Sequence, residues 1–220
     1  MINIVISDLH GESFKEQYNK ILDLDIEFNN IILLGDYFHS YNRSVNGKYQ
    51  LRHFEEMIDI SKRDKRVIML IGNHDIMHLI GHRPAVTMFP AEVSRKIKEL
   101  IEENLKLFRV VWKGDKYVYS HAGVSKTFMR NNNLNTLEEI NEIFWNKEYK
   151  RFEVYDNAEL RDWEKYTPTV MRFEVLCNDY WCENQVVGHT ELPFIQIKKG
   201  KIIGIETFSH NNIIMIDESE

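Results

Sequence analysis

The chain has 220 residues, of which 43% are hydrophobic and 28% are charged, and its formal net charge is −6 at pH 7. A chain of this length fits one α/β domain or two small ones, and it can bury a sufficient core without a disulfide or a structural metal. The acidic balance disfavours a protein that binds nucleic acid through a broad basic surface.

The amino terminus and the cysteines bear on the cellular compartment. The segment Met1–Ile6 contains no basic residue and is followed by polar Ser7-Asp8, which is not the pattern of a secretory signal peptide. No apolar run is long enough to span a membrane. Two cysteines, Cys177 and Cys182, are too few for a disulfide framework. These features predict a soluble, cytoplasmic protein with reduced thiols.

The first half of the chain alternates short β-branched runs with amphipathic segments. Strands are predicted at residues 2–7, 30–34 and 66–71, and helices at about 12–24, 51–61 and 91–108. Repetition of strand, polar turn and helix predicts a parallel sheet with crossover helices, which is an α/β architecture.

The second half is predicted to add more strands around a helical segment. Residues 109–112 and 116–120 form two strands around a Gly114-Asp115 hairpin signal. Residues 124–181 are mainly helical, most clearly at 137–145, and we interpret them as an insertion or cap within a single domain spanning 1–220. Four closing strands are predicted at 185–187, 194–197, 201–205 and 212–216.

Short polar motifs occur where apolar runs end. There are five of them: Asp8-Leu9-His10, Gly35-Asp36, Gly72-Asn73-His74-Asp75, Ser120-His121-Ala122-Gly123 and Gly188-His189-Thr190. Sites in open α/β sheets form at the carboxyl ends of strands, so five strand ends are expected to deliver carboxylate, imidazole and amide groups to one place.

These residue types suit a pair of divalent cations. Such a pair needs a bridging carboxylate and accepts mixed oxygen and imidazole ligands. Two ions about 3.5–4 Å apart would bind phosphate oxygens and lower the pKa of a shared water. Each residue alone also has an ordinary interpretation: Asp8 as a helix cap, His121 as a core histidine, Asn73 as a turn residue. Their combination at strand ends favours the metal site.

The order of the five motifs resembles that of the calcineurin-like metallophosphoesterases. Within that superfamily it is most similar to the branch of serine/threonine phosphoprotein phosphatases and symmetrical diadenosine-tetraphosphate hydrolases. The resemblance implies a four-layer α-β-β-α sandwich and hydrolysis of phosphomonoesters or nucleotide polyphosphate anhydrides by a metal-bridging water. It implies two divalent ions, with manganese expected first and iron, zinc or nickel as alternatives.

The resemblance also assigns roles to individual residues. One ion would be bound by Asp8, His10 and the bridging Asp36. The other would be bound by Asp36 together with Asn73, His121 and His189. His74 would be the general acid that protonates the leaving oxygen.

Two departures from the family pattern follow Asp36. Many members have Gly-Asp-x-x-Asp-Arg-Gly, in which the later Asp orients the catalytic His and the Arg holds phosphate. Here His39 stands in place of that Asp, so we include it with His74 among the catalytic residues, and Ser40 stands in place of the Arg. Arg43 is the candidate phosphate-binding residue, with Arg52, Arg83 and Arg172 as alternatives.

Other residues near the motifs have open roles. Tyr37, with Phe38 and Tyr41, is a candidate for stacking a nucleobase, and core packing is the alternative. The remaining histidines match no ligand position and are assigned to the surface or to supporting positions: His53, His78, His82 and His210.

The sequence leaves competing functions open. One is a metal-binding scaffold of the same fold without efficient catalysis. Another is a cyclic-nucleotide phosphodiesterase, which Glu191 disfavours because many such enzymes have Gly-His-x-His, with a second histidine where this chain has Glu191. A nuclease is disfavoured by the acidic balance. The expected partner is a small phosphorylated substrate or a phosphoprotein, with no membrane and no nucleic acid.

Overall fold

A computed structural model describes residues 1–42, 45–81, 89–152, 166–182, 184–198, 202–205 and 213–219. The α-helices are α1 Phe14–Leu22, α2 Gly47–Arg63, α3 Asn73–Ile80, α4 Ala91–Glu103, α5 Lys126–Asn131, α6 Leu137–Trp145 and α7 Phe173–Asp179. The strands are β1 Ile2–Ile6, β2 Asn30–Leu33, β3 Val67–Leu70, β4 Phe108–Arg109, β5 Val111–Lys113, β6 Val118–Ser120, β7 Gln185–Val187, β8 Gln196–Lys198, β9 Ile202–Gly204 and β10 Ile213–Asp217.

The first sheet has the strand order β10-β1-β2-β3-β4. Strands β1 to β4 are parallel, as the strand–turn–helix repeat predicts, and β10 pairs antiparallel with β1. Side chains alternate across this sheet: Ile4 and Ile6 pack towards the helices, whereas Val5 packs towards the other sheet. Parallel pairing aligns the carboxyl ends of β1, β2 and β3 at one edge, where three of the five motifs begin.

The second sheet has the order β5-β6-β7-β9-β8. Its central strands β6, β7 and β9 are parallel, and both edge strands are antiparallel to their neighbours. The single strand predicted at 109–112 is wrong, because β4 belongs to the first sheet and β5 to the second. Where the chain passes from the first sheet to the second, Asn141 Oδ1 accepts the N–H groups of Val110 (2.9 Å) and Val111 (3.2 Å). These two N–H groups therefore bond a side chain and not a strand of the first sheet.

Three apolar clusters fill the spaces between the layers of the fold. The largest joins the first sheet to helices that include α1, α2 and α4, and contains Phe14, Phe54 and Ile97. A second cluster, with Val5 and Val186, lies between the sheets. The third packs α7 and its flanking residues against the second sheet. The predicted α-β-β-α sandwich is therefore confirmed.

Within the predicted helical segment at 124–181, the structure describes α5, α6, α7 and a 3-10 turn at Tyr149–Phe152. Helix α6 has the predicted bounds, and it begins at a capping box in which Thr136 and Glu139 bond each other's backbone N–H groups. Residues 153–165 lie outside the described residues, and a role as a cap stays a prediction. Among the described helices, none combines the length and apolar character that a membrane crossing requires.

Helix α3 is not among the helices that the sequence predicts. It begins at the site motif itself, with Gly72 as its N-cap and Asp75 closing the first turn, and it ends at Ile80 with Gly81 (φ +76°) as its C-cap. The sequence pattern does not indicate this helix, because the first turn of the helix consists of polar residues that usually indicate a loop. Its consequence is that His74 and His78 lie one helical turn apart on the same face.

Candidate metal centre

The structure brings the six predicted metal ligands and His74 together. A cleft of about 480 Å³ lies where the strand ends of both sheets meet, and its walls include Asp8, His10, Asp36, Tyr41, Asn73, His74, Arg172, His189 and Glu191. His121 is fully buried directly behind it, with its Nε2 3.4 Å from Asp36 Oδ2. Residues distant in sequence therefore share one small polar space.

Backbone strain is concentrated at this cleft. Among the described non-glycine residues, seven have positive φ: Asp8, His10, Asp36, His39, Asn133, Lys147 and His189. Five of them are candidate site residues. L-residues adopt this conformation at a cost of about 1–3 kcal/mol when the surroundings enforce it, and such strain is common at functional sites. The fold thus holds these side chains in directions that relaxed strands would not give.

Asp36 is fixed by a network that also fixes α3. Asp36 Oδ1 accepts the N–H of His74 (2.9 Å), and a side chain at Gly72 would collide with that carboxylate. In the opposite direction, the fully buried carboxylate of Asp75 accepts N–H groups of Gly72, Asp36 and Tyr37, each at 2.9 Å. Asp75 therefore joins the ends of β2 and β3, a role that its motif did not reveal.

Three acceptor atoms converge beside Asp36. His121 Nδ1–H donates to the carbonyl oxygen of Leu34 (3.0 Å), so Nε2 is the nitrogen that would bind an ion after losing its proton. That nitrogen lies 3.0 Å from Asn73 Oδ1 and 3.1 Å from His189 Nδ1. Rotating the Asn73 amide would let its nitrogen donate to the same atoms instead. A spacing of about 3 Å also separates neighbouring ligands around an ion bonded at about 2.1 Å, and an ion requires the oxygen orientation.

The side chains that could hold a metal ion form two groups among the described residues, and both groups contain Asp36. In each group the potential ligand atoms lie within 4.8 Å of one another: His10, Asp36 and His74 in one, and Asp36, His121 and His189 in the other. His10 Nδ1–H donates to Phe38 O (3.0 Å), so its Nε2 is left for an ion. This arrangement suits Asp36 as a ligand shared by two cations.

Asp8 completes the surroundings without belonging to either three-residue group. Its Oδ2 accepts the N–H of His189 (3.2 Å) and the hydroxyl of Ser7. Gly188 is required beside it, because a Cβ there would collide with the same carboxylate oxygen. Asp8 therefore lies at the contact between the two sheets, where it supplies negative charge to the centre.

The electrostatics of the centre favour bound positive charge. Burial opposes ionisation of Asp36, but His121 and His74 outweigh it and hold the pKa of Asp36 well below its usual range. Burial also opposes a charge on His121, yet Asp36 and Asp8 raise its pKa to about 9. Burial and His121 together lower the pKa of His189 to about 3. The two carboxylates thus stabilise positive charge in this largely buried part of the cleft, either as a proton on His121 or as divalent ions in its place.

A chain of three imidazoles leads away from the centre. His74 Nε2 faces Asp36 Oδ2 at 3.8 Å, and its Nδ1 contacts His39 Nδ1 within hydrogen-bonding distance. His39 Nε2 in turn lies 3.1 Å from His78 Nε2. Burial, with His74 and His78 nearby, lowers the pKa of His39 to about 2, so His39 is neutral. His39 thus lies beside His74, and of the two interpretations of His78, burial excludes the surface and leaves a supporting position.

Of the two predicted substrate-binding residues, the structure describes Tyr37 and does not describe Arg43. Tyr37 is a correction: it is 4% exposed, its hydroxyl donates to Leu70 O (2.5 Å) and its ring packs on Phe54, so it cannot stack a base. Arg43 lies outside the described residues, so its role in binding phosphate stays a prediction. Arg83, His82 and His210 also lie outside the described residues, and their assignments stay predictions too. Of the alternatives, Arg52 points to solvent and pairs with Glu56 (3.7 Å), whereas Arg172 lines the cleft.

This geometry agrees with the family comparison. The model of the family described as calcineurin-like phosphoesterase matches residues 4–198, nearly the whole chain. The chain belongs to the calcineurin-like phosphoesterase family. As a member of that family it is a metal-dependent hydrolase of phosphate esters. No curated protein sequence is significantly similar to it.

Solved structures of phosphatases share the fold of this calcineurin-like phosphoesterase. A cold-active protein-tyrosine phosphatase of a psychrophilic Shewanella species has a TM-score of 0.62 at 18% identity, over 99% of this chain and 75% of that chain. A metallophosphoesterase from Sphaerobacter thermophilus has a TM-score of 0.55 at 12% identity, over 99% and 84%. A protein serine/threonine phosphatase from Saccharomyces cerevisiae has a TM-score of 0.54 at 13% identity, over 94% and 67%. At these identities the likeness concerns the fold and not the substrate.

Proposed function

We propose that this protein is a two-metal phosphatase that hydrolyses phosphomonoesters, with nucleotide polyphosphate anhydrides as the second substrate class. The observation that carries the proposal is that two groups of candidate metal-binding side chains share Asp36, and that one of these groups includes His74. Two divalent ions, expected to be manganese, supply the charge that activates water and stabilises the phosphoryl group in such enzymes.

Each site residue has its own role in this proposal. Asp8, His10 and Asp36 would hold one ion, and Asp36, Asn73, His121 and His189 the other. His74 is placed to give a proton from Nε2 to the leaving oxygen, because its backbone N–H is fixed by Asp36 and its Nδ1 by His39. The strained backbone at Asp8, His10 and Asp36 holds the ligand directions before substrate arrives.

Arg172 is the best-placed phosphate-binding residue among those described. It is an exposed residue at the N-cap position of α7, and it shares the cleft walls with Asp36 and His74. A guanidinium can bind two phosphate oxygens at once through parallel N–H donors. We therefore assign to Arg172 the role that Ser40 cannot fill.

The neighbouring surface favours monoesters over polyphosphates. A second cleft of about 450 Å³ adjoins the first and shares Tyr41 with it. Among the described residues that line this second cleft, Glu12 and Glu16 outnumber the one lysine or arginine side chain, Lys20, so further phosphate groups would meet net negative charge there. Tyr41 and Tyr49, 64% and 49% exposed, offer aromatic faces to the leaving group of a monoester.

A matched substrate panel with manganese added tests this proposal. Aryl and alkyl phosphomonoesters, phosphotyrosine and phosphoserine peptides, a dinucleoside polyphosphate, and 2′,3′- and 3′,5′-cyclic nucleotides would be compared by kcat/KM. Phosphopeptides belong in the panel because two of the similar structures are protein phosphatases. The proposal predicts monoesters first and cyclic nucleotides last; a preference for cyclic nucleotides would overturn it.

The alternatives make different predictions in the same assay. A metal-binding scaffold would bind manganese and turn over none of the panel. A cyclic-nucleotide phosphodiesterase is disfavoured because Glu191, and not a second histidine, lines the cleft beside His189. A phosphoprotein as the natural partner and a cytoplasmic location stay predictions.

A further inference from the structure

The far end of the imidazole chain has a structural feature that the proposed catalytic roles do not use. His78 is 3% exposed, and its ring packs against Phe38 (5.0 Å between centroids) and Phe89 (5.1 Å). In this apolar surrounding its Nε2 faces His39 Nε2 at 3.1 Å. His78 Nδ1 has no hydrogen-bond partner among the described residues. A buried imidazole is costly unless it bonds, so the contact with His39 is its compensating interaction.

The proposed role of His74 as general acid determines which ring donates and which accepts in the hydrogen bonds between the three imidazoles. To protonate a leaving oxygen from Nε2 and remain a stable neutral ring, His74 must keep a proton on Nδ1. That Nδ1–H donates to His39, so His39 Nδ1 must be unprotonated. A neutral His39 then carries its proton on Nε2, and Nε2–H needs an acceptor. His78 Nε2 lies where that acceptor is required.

We propose that His78 is a positioning residue of the phosphatase reaction, which acts through His39 by fixing the tautomer that accepts a hydrogen bond from His74. This inference rests on the proposed function. His78 lies four residues after His74 on α3, and His39 comes from the loop after β2, so the three rings close a link between the ends of β2 and β3. If His78 could not accept, His39 would be free to protonate Nδ1 and would oppose the Nδ1–H of His74.

The kinetic test uses paired substitutions at position 78. His78→Leu removes the acceptor with a side chain of similar size, and His78→Gln keeps an acceptor near the position of Nε2. We expect His78→Leu to lower kcat by about 10- to 100-fold with KM and metal content unchanged, and His78→Gln to stay within about threefold of wild type. Met77→Leu, on the same helix and half-exposed, is the control.

A double-mutant cycle separates positioning from packing. If His78 acts through His39, adding His78→Leu to His39→Ala costs no further activity, whereas independent effects would multiply. Multiplying effects, equal losses in His78→Leu and His78→Gln, or an unchanged kcat in folded His78→Leu with chemistry limiting the rate would each overturn the inference.

The tautomer itself is measurable without turnover. Nitrogen-15 spectra of the zinc-loaded wild-type protein are expected to show His39 protonated at Nε2 and His78 protonated at Nδ1. A proton on His39 Nδ1 contradicts the inference even if the enzyme is active. Conversely, an inactive protein with the expected tautomers counts against the proposed function and leaves the arrangement of the three rings standing.

Discussion

His39 Nδ1 contacts His74 Nδ1 in the position where many members of the family have a carboxylate. Burial lowers the pKa of His74, and no carboxylate among the described residues bonds its Nδ1 to oppose this. His39→Asp should therefore raise the pKa of His74, because a neighbouring negative charge stabilises the imidazolium. An acid with a higher pKa stays protonated to higher pH, so the alkaline limb of the kcat/KM profile should move upwards. Coincident alkaline limbs for the two proteins, with chemistry limiting the rate, would refute this.

Asp75 accepts three backbone N–H groups at the ends of β2 and β3. Asp75→Asn replaces one carboxylate oxygen by a donor that faces those N–H groups. We expect a loss of about 1–3 kcal/mol in the free energy of unfolding and weaker manganese binding by about 10- to 100-fold. Denaturant unfolding and metal titration measure both, with the exposed Asp59→Asn on α2 as the control. Unchanged metal affinity would show that Asp75 does not hold Asp36 in place.

Arg172→Ala should weaken the binding of phosphate esters. Hydrogen bonds to charged groups are worth about 1.5–3 kcal/mol, which corresponds to a change in kcat/KM of about 10- to 150-fold. Arg172→Lys should recover only part of this, because an ammonium does not bind two oxygens in one plane. Arg52→Ala is the matched control, since Arg52 lies on the solvent side of α2. Equal effects of Arg172→Ala and Arg52→Ala would remove Arg172 from the site.

Glu218 joins the end of the chain to both sheets. Its side chain, 2% exposed, accepts hydrogen bonds from Asn3 Nδ2 (2.7 Å) in β1, from the Tyr119 hydroxyl (2.6 Å) in β6 and from Lys116 N (2.5 Å). Glu218→Ala leaves buried donors unsatisfied and should cost about 2–3 kcal/mol of stability, and Glu218→Gln less. Activity of the folded fraction should not change, because none of these residues lines either cleft. A thermal unfolding curve equal to that of wild type would contradict this.

The strand ends explain why much of the site was predictable from sequence. Asp8, Asp36 and His121 each follow an apolar run closely, so the general geometry of α/β sheets predicts their convergence. The same local reasoning found β1, β2 and β3 within one or two residues of their bounds.

The errors arise where distant contacts decide the outcome. Tyr37 belongs to the core because its hydroxyl reaches Leu70, 33 positions along the chain. His78 looked like an unassigned histidine because its partner His39 lies 39 positions away. Strand 109–112 divides between two sheets because Asn141 satisfies the crossing backbone. Local patterns carry none of this information.

We propose that two ions share Asp36, and a manganese titration of phosphomonoester turnover tests this most directly. Chelated wild-type protein should be inactive and should regain turnover as two ions bind per chain. Asp36→Asn keeps the volume and removes the shared charge, so it should stay folded and lose at least about 10³-fold in kcat. Full turnover by folded Asp36→Asn, or by thoroughly chelated wild-type protein, would contradict the two-metal account.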